Sequence, residues 1–296
     1  MDSITRHTAS QPQHFIAPDG LSLAVERCGA AAAPVLLFAH GFGQTRQAWR
    51  GATHKLAAAG WQCVSFDARG HGDSERVADG RYHLAQFIED LRALASAQPS
   101  PPVLIGASMG GLLGIAVAGD AQRPAPFSAL ALVDITPRWE AAGVARILDF
   151  MRAYPQGFAD HDAAAVAVAT YLPQRSGRKG GERLRALLRR GADGRLRWHW
   201  DPAMLDVVEN EGRAQQQALL EATRRIRLPT LLVSGGLSDV VSATTVDEFM
   251  QLLPGAVHVN VPGATHMLAG DANDAFVTAI ADFVRALPRT PAGVES

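Results

Sequence analysis

A serine flanked by glycines is the residue of this chain best placed to act as a nucleophile. Ser108 stands in the pattern Gly106-x-Ser108-x-Gly110, between an apolar run typical of a buried strand and a segment of helical character. A sharp turn from strand to helix exposes such a serine at its tip and leaves no room for a β-carbon at either glycine. The first N–H groups of the helix also point at any negative charge that forms beside the serine. The pattern predicts a nucleophilic serine, although glycines flank serines by chance in many chains.

A glycine-rich loop earlier in the chain could stabilise an oxyanion beside this serine. The apolar run at 35–39 leads into His40-Gly41-Phe42-Gly43, whose backbone N–H groups can turn toward a developing negative charge. We expect the N–H groups of Phe42 and Met109 to form the oxyanion hole.

The candidate acid and base follow two later strand-like runs. Asp239 comes after the run at 230–234 and is the predicted acid, and His266 comes after the run at 257–261 and is the predicted base. Both should lie at the edge of the sheet formed by the carboxyl ends of the strands, where sites of such sheets gather. Asp134, at the end of the run at 129–133, is the alternative acid; its other possible role is to cap a helix that begins near Pro137.

The order Ser108, Asp239, His266 resembles that of the α/β-hydrolase superfamily. The segment Phe-Asp-Ala-Arg-Gly-His-Gly-Asp-Ser at 66–74 is similar to the Asp-x-Arg-Gly-x-Gly-x-Ser loop of that family, and the resemblance extends over essentially the whole chain. It implies an α/β-hydrolase fold, with a mostly parallel eight-stranded sheet, helices on both faces and a helical cap insertion, and a serine hydrolase mechanism. It does not name the substrate.

The spacing of strand and helix signals predicts where such a cap would lie. Strands and helices alternate along most of the chain, which indicates parallel strands with crossover helices. The alternation stops between 134 and 229, a stretch far longer than an ordinary connection. We therefore expect a core of residues 1–136 and 227–296 and a helical cap of residues 137–226, with helices from about Pro137 and over 161–172, 181–190 and 211–226.

A cap of this kind would supply the walls of the substrate pocket. The side chains predicted to bind substrate are Trp139, Trp198, Trp200 and Met267. A basic cluster over 175–197 is either a solvated face or a surface that recognises an anion.

The predicted reaction is acyl transfer. His266 would take the proton of Ser108 as the serine attacks a carbonyl carbon, and Asp239 would orient the imidazole. A carboxylic ester or a lactone is the expected substrate, and no cofactor is required. Three alternatives remain: a carbon–carbon bond hydrolase of a vinylogous keto-acid, a cofactor-free perhydrolase of the haloperoxidase type, and a binding protein on the same scaffold.

Composition narrows the expected partners. A chain of 296 residues, 47% of them hydrophobic, is long enough for one large core. A formal net charge of −1 gives no reason to expect nucleic acid or an anionic membrane as a partner. The scattered histidines show no metal-ligand spacing, so no metal is expected. Because no leader-like or membrane-length apolar run is found, the chain is predicted to be cytoplasmic. Its expected partner is a small-molecule substrate, the ester or lactone named above. Its oligomeric state is not indicated.

Overall fold

A central sheet carries the residues singled out above. The computed structural model describes residues 13–171, 184–206, 215–266, 268 and 274–288. The described strands, in chain order, are Gln13–Ile16 (β1), Ser22–Cys28 (β2), Val35–Ala39 (β3), Gln62–Phe66 (β4), Val103–Ala107 (β5), Ala129–Val133 (β6), Leu188–Arg190 (β7), Leu196–Trp198 (β8), Thr230–Gly235 (β9) and Val257–Val261 (β10).

Eight of these strands form one sheet, in the order β1-β2-β4-β3-β5-β6-β9-β10. The pairs β1/β2 and β2/β4 are antiparallel, and the others are parallel. Every residue of β3, β4, β5, β6 and β9 is buried, as expected for parallel strands that are covered on both faces. Alternate side chains enter two separate apolar layers; Leu37 lies in one and Leu36 in the other. The predicted eight-stranded, mostly parallel sheet is confirmed.

Helices cover both faces of the sheet and fill the long connection between β6 and β9. The described helices are Arg50–Ala58 (α1), Leu84–Ser96 (α2), Met109–Ala118 (α3), Ala141–Arg152 (α4), His161–Tyr171 (α5), Gln216–Arg225 (α6), Ala243–Leu252 (α7) and Asp274–Ala286 (α8), with short 3₁₀ turns at Arg46–Trp49 and Pro202–Met204. Within the described ranges, none of the helices combines the length and the apolar composition that crossing a bilayer requires.

Two details of the connection differ from the prediction. The first helix begins at Ala141 rather than near Pro137, because Glu140 is extended and donates its backbone N–H to the Val240 carbonyl at 2.9 Å. Residues 188–190 form a strand instead of the end of a helix. Leu188 pairs with Trp198, and both side chains are buried. An apolar pair at 187 and 188 suits a helix or a strand equally, so the partner strand decides.

Helix α6 lies inside the segment predicted as a cap but packs on a helix of the core. A β-carbon at Gly119, which follows α3, would lie 2.1 Å from the Ala222 carbonyl oxygen in α6. Leu219 and Ala222 join the same apolar layer as Leu37 of the sheet. The cap segment predicted to end at 226 therefore contains, at its end, a helix that packs on the core.

Candidate active site

The turn that holds Ser108 is strained and tightly packed. Ser108 has φ 45° and ψ −117°, a region that residues with a side chain rarely adopt. An added β-carbon at Gly106 would lie 2.6 Å from the Gly110 carbonyl oxygen, and one at Gly110 would lie 2.3 Å from the carbonyl oxygen of Ala39 in β3. The expectation that neither glycine has room for a side chain is confirmed. The strain holds the serine side chain at the tip between β5 and α3.

The loop after β3 passes directly against this serine. A β-carbon at Gly41 would lie 3.2 Å from the Ser108 Cβ and 3.8 Å from its Oγ. Phe42, Ser108 and Met109 line one cavity. Among the described residues, no acceptor is found for the backbone N–H of Phe42 or of Met109. The two donors expected to form an oxyanion hole are therefore beside the serine and uncommitted.

Asp134, at the end of β6, is the carboxylate that contacts His266. Its Oδ2 lies 2.7 Å from His266 Nδ1 and accepts the Ser238 hydroxyl at 2.6 Å, while its Oδ1 accepts the Gly235 N–H at 2.7 Å. The carboxylate is buried, at 1% exposure, and its residue has φ 50°. Both oxygens are thus engaged, and one of them holds the imidazole.

The structure does not bring Asp239 to His266. Its carboxylate forms an ion pair with Arg146 of α4, and both side chains are about one-third exposed or more. The chain leaves β9 in a turn that directs Ser238, and not Asp239, toward Asp134. The prediction of Asp239 as the partner of the histidine is therefore corrected to Asp134. The suggestion that Asp134 caps a helix near Pro137 is also wrong, because its oxygens face the loops after β9 and β10.

Ser108 and His266 lie in loops at the carboxyl edge of the same sheet. Ser108 follows β5 and His266 follows β10, with β6 and β9 between them. No hydrogen bond joins the Ser108 hydroxyl to any residue that the structure describes. The imidazole–carboxylate contact is therefore formed, and the serine–imidazole contact is not.

Two neutral histidines fix the loops around the serine. The His40 Nε2 accepts the Ala68 N–H at 2.9 Å, and the His71 Nε2 accepts the Gly43 N–H at 3.2 Å. Burial lowers the pKa of His40, and it lowers the pKa of His71 well below the ordinary value. A protonated ring would direct a second N–H at a backbone N–H, so the geometry and the pKa shifts agree. Through these hydrogen bonds the two histidines hold the loops at 40–43 and 67–72 against each other.

A third histidine, His199, was not singled out by the sequence. It follows β8, and its Nδ1 accepts the Gly72 N–H at 2.8 Å while its Nε2 contacts the Gly43 carbonyl at 3.2 Å. Burial lowers its pKa to about 3. It ties the segment between β6 and β9 to the loop that carries Phe42. Only its place beside Trp198 and Trp200 hinted at burial.

Four of the five arginines of the basic cluster that the structure describes have local partners; Arg185 is the exception, and Arg190 donates to the Gly194 carbonyl. Arg189 pairs with Asp73, and Arg197 pairs with Asp193. Arg195 donates to the carbonyls of Gln156 and Gly157. These contacts favour a solvated face over an anion site; the part of the cluster at 172–183 lies outside the described residues.

The predicted pocket residues are placed differently from one another. Trp139 lines the cavity with Ser108. Trp198 and Trp200 are buried and stacked, with ring centroids 4.9 Å apart. Neither tryptophan is among the described residues that line the cavity. Met267 lies outside the described residues.

The sequence did not predict how far the cavity extends. It has a volume of about 450 Å³ and runs from Ser108 between α2, α3 and α6. No sequence motif marks it, because its walls are ordinary apolar helix faces. Within the described ranges, no group of three or more His, Cys, Asp or Glu side chains is placed to hold a metal ion.

Comparisons with known proteins agree with this architecture. The chain is 28% identical to a 3-hydroxybutyrate-oligomer hydrolase of Cupriavidus necator over 267 residues, which is 85% of this chain and 89% of that protein. It is 26% identical to a 2-(acetamidomethylene)succinate hydrolase of Mesorhizobium japonicum, covering 86% of this chain and 88% of that protein. It is 27% identical to an sn-1-specific diacylglycerol lipase of Mus musculus, covering 86% and 82%.

Solved structures show the same fold. The thioesterase domain from the curacin biosynthetic pathway superposes with a TM-score of 0.73 at 26% identity, covering 94% of this chain and all of that one. An E-2-(acetamidomethylene)succinate hydrolase superposes with a TM-score of 0.78 at 24% identity, covering 93% and 99%. The sequence profile of the alpha/beta hydrolase fold matches residues 34–272. With that match and the eight-stranded sheet, the chain belongs to the alpha/beta hydrolase family.

Proposed function

We propose that the protein is a serine hydrolase that cleaves carboxylic esters through an acyl-enzyme intermediate. The observation that carries the proposal is the 2.7 Å contact between the buried Asp134 carboxylate and His266 Nδ1, at the sheet edge where Ser108 stands in its strained turn. A carboxylate on one imidazole nitrogen fixes the tautomer that leaves the other nitrogen free to accept a proton.

The reaction follows from these groups. His266 Nε2 takes the hydroxyl proton as the Ser108 Oγ attacks the carbonyl carbon, and Asp134 stabilises the imidazolium that results. The N–H groups of Phe42 and Met109 donate to the oxyanion. The imidazolium then gives its proton to the leaving alcohol, and a water molecule releases the acid by the same steps.

One contact in this scheme has to form when substrate binds. The Ser108 hydroxyl makes no hydrogen bond to a described residue, whereas the reaction needs this hydroxyl within hydrogen-bond reach of His266. Catalytic hydrogen bonds are often long in unliganded enzymes and tighten in the substrate complex. We place the closing of this contact at substrate binding.

The walls of the cavity favour an ester over an acidic substrate. Around Ser108 the described lining is apolar, with Phe42, Met109, Ile135 and Trp139. The vinylogous keto-acid of the carbon–carbon hydrolase alternative is an anion, and an anion would need cationic groups there. Two of the relatives are named as a hydroxybutyrate-oligomer hydrolase and a diacylglycerol lipase. A lactone is a cyclic ester and would be attacked in the same way.

We further propose that the elements between β6 and β9 act as a cap over this cavity. Trp139, Val144, Ile147 and Leu148 belong to that segment and line the cavity. Met204, in the 3₁₀ turn that follows β8, does so as well. Differences in these side chains would change which esters fit.

The experiment that tests the function compares Ser108→Ala with the wild type on p-nitrophenyl butyrate. Without the nucleophile, turnover should fall by about 10⁴-fold to 10⁶-fold. Ser96→Ala, an exposed serine at the end of α2, is the matched control and should behave as wild type. A fluorophosphonate probe should label the wild type at Ser108 only. Labelling at another residue, or turnover that survives Ser108→Ala, would overturn the proposal.

A further inference from the structure

The cavity beside Ser108 continues as a long groove between three helices. Its floor is one face of α3, formed by Met109, Leu112, Leu113 and Ala116. Positions spaced by three or four residues lie on the same side of a helix, so these side chains make a continuous strip.

The two walls are helix faces of the same kind. Helix α2 contributes Leu84, Ala85 and Ile88, and α6 contributes Ala218, Leu219 and Ala222. The small side chains keep the space between the helices open. Ser108 lies at one end of this apolar channel.

The far end of the groove is charged. Asp120, Glu89 and Arg123 line it there, and Arg123 pairs with both carboxylates, at 3.1 Å from Asp120 and 2.5 Å from Glu89. Arg225, at the end of α6, is exposed and donates to the Gly119 carbonyl. The acidic groups are paired with Arg123, and this end of the groove is open to water. It is therefore the opening of the groove to solvent and not a binding site for a charged group.

The length of the groove follows from helix geometry. Asp120 lies eleven positions after Met109, which at about 1.5 Å a residue is about 16 Å. An extended hydrocarbon chain advances about 1.25 Å a carbon for bonds of about 1.52 Å at about 111°. The groove from Met109 to Asp120 therefore matches a linear chain of about thirteen carbons, and its apolar floor, which ends at Ala116, matches about eight.

We infer that this groove holds the acyl chain of the substrate, so that the enzyme prefers esters of linear medium-chain fatty acids of about eight to twelve carbons. The inference rests on the proposed function. The acyl chain stays attached to Ser108 until water releases it, whereas the alcohol must leave first, so the chain is the part that the lined groove retains.

The wild-type test is a series of p-nitrophenyl esters from acetate to hexadecanoate. Each methylene buried in the groove should raise kcat/KM by up to about fourfold. The rise should end near twelve carbons, where further methylenes meet charged side chains and water. A series that is flat, or that falls from acetate onward, would overturn the inference.

The mutational test blocks the groove at Ala116, the last residue of its floor. Ala116 is seven positions after Met109, about 10 Å along α3. Ala116→Phe should lower kcat/KM for the dodecanoate ester at least tenfold more than it lowers kcat/KM for the butyrate ester. Ala218→Phe, from the α6 wall, is the second variant, and Gln217→Phe puts the same ring on the outer side of α6 as the control.

The outcomes separate the two proposals. Suppose that the butyrate ester is cleaved at Ser108 but that Ala116→Phe and Ala218→Phe change kcat/KM for butyrate and dodecanoate by the same factor. The inference of an acyl groove is then wrong, and the proposed serine hydrolase function stands. If a series of alkyl acetates, and not the acyl series, depends on chain length, the groove holds the alcohol and the inference is again wrong. If the wild type cleaves no ester and no probe labels Ser108, the proposed function itself fails.

Discussion

Asp134 adopts a backbone conformation that aspartate rarely holds, and its hydrogen bonds explain how it is kept there. A residue with a side chain at φ 50° carries a cost of order 1–3 kcal/mol. Its N–H donates to the Val233 carbonyl at 2.7 Å, and its carboxylate binds Gly235, Ser238 and His266. The conformation turns the carboxylate from the end of β6 toward the loop after β10, which is what orienting an imidazole there requires.

Ser238 positions the Asp134 carboxylate, and a substitution by alanine tests this role by removing the serine hydroxyl. Its O–H donates to Asp134 Oδ2, and its Oγ accepts the N–H groups of Val240 and Val241 at 3.2 and 3.1 Å. A hydrogen bond to an ionised group contributes about 1.5–3 kcal/mol. We expect Ser238→Ala to lower kcat about tenfold with KM nearly unchanged, measured on p-nitrophenyl butyrate.

The control for this variant is a serine that caps a helix close by. Ser242 accepts the Thr245 N–H at the start of α7, so Ser242→Ala should cost about 1 kcal/mol of unfolding free energy without lowering kcat. Ser238→Thr keeps a hydroxyl and should recover much of the rate. Equal kcat for Ser238→Ala and wild type would show that the hydroxyl does not act through Asp134.

At the scale of elements, three buried histidines join the loops around the site. The His71 ring lies edge to face with the His40 ring, at 5.0 Å between centroids, and is tilted against the His199 ring, at 6.0 Å. Each accepts a backbone N–H from another loop, and each therefore has to be neutral. The segment between β6 and β9 is held to the core partly through the last of them.

This arrangement predicts that stability falls in acid. The pKa of His199 is about 3 in the folded protein, against about 6.5 for a histidine in an unfolded chain. The unfolded chain binds the proton more readily, so stability is greatest above pH 6.5 and declines as the pH falls from there toward 3, by up to about 1.4 kcal/mol per pH unit for one such histidine. The lowered pKa of His71 acts in the same direction.

The measurement is the free energy of unfolding in urea at pH 7, 6, 5 and 4. His199→Asn keeps an oxygen where Nδ1 accepts the Gly72 N–H but cannot titrate. We expect this variant to lose about 1 kcal/mol at pH 7 and to show a shallower decline in acid. His54→Asn, at an exposed position of α1, should retain the wild-type slope. Parallel curves for His199→Asn and wild type would contradict this role.

For the whole molecule, the sequence predicts the sheet better than the connection between β6 and β9. The buried strands are short apolar runs between turns, and their order follows from the alternation with helices, so β3, β5 and β6 lie where the pattern puts them. In the connection, Leu187 and Leu188 fit the residue spacing of a helix and that of a strand equally well. Whether they form a strand depends on a partner strand that the sequence spacing does not reveal.

The carboxylate that contacts His266 was mispredicted for a related reason. Asp134 and Asp239 both follow apolar strands, β6 and β9, and those strands are neighbours in the sheet. Which carboxylate reaches His266 depends on the turn after each strand, and a turn that places Asp134 at φ 50° has no sequence signature. The strained turn at Ser108 was predictable because its two glycines mark it.

We propose that Ser108, His266 and Asp134 act as one catalytic unit, and variants of the two aspartates test this proposal most directly. The measurement is kcat/KM for p-nitrophenyl butyrate with Asp134→Asn and with Asp239→Asn, each variant checked for an unchanged melting temperature. Asp134→Asn should lower kcat/KM by about 10⁴-fold, as loss of the orienting carboxylate does in an unrelated Ser-His-Asp triad. Asp239→Asn breaks only an exposed ion pair with Arg146 and should stay within threefold of wild type. A greater loss at Asp239, or equal losses at both positions, would contradict the account.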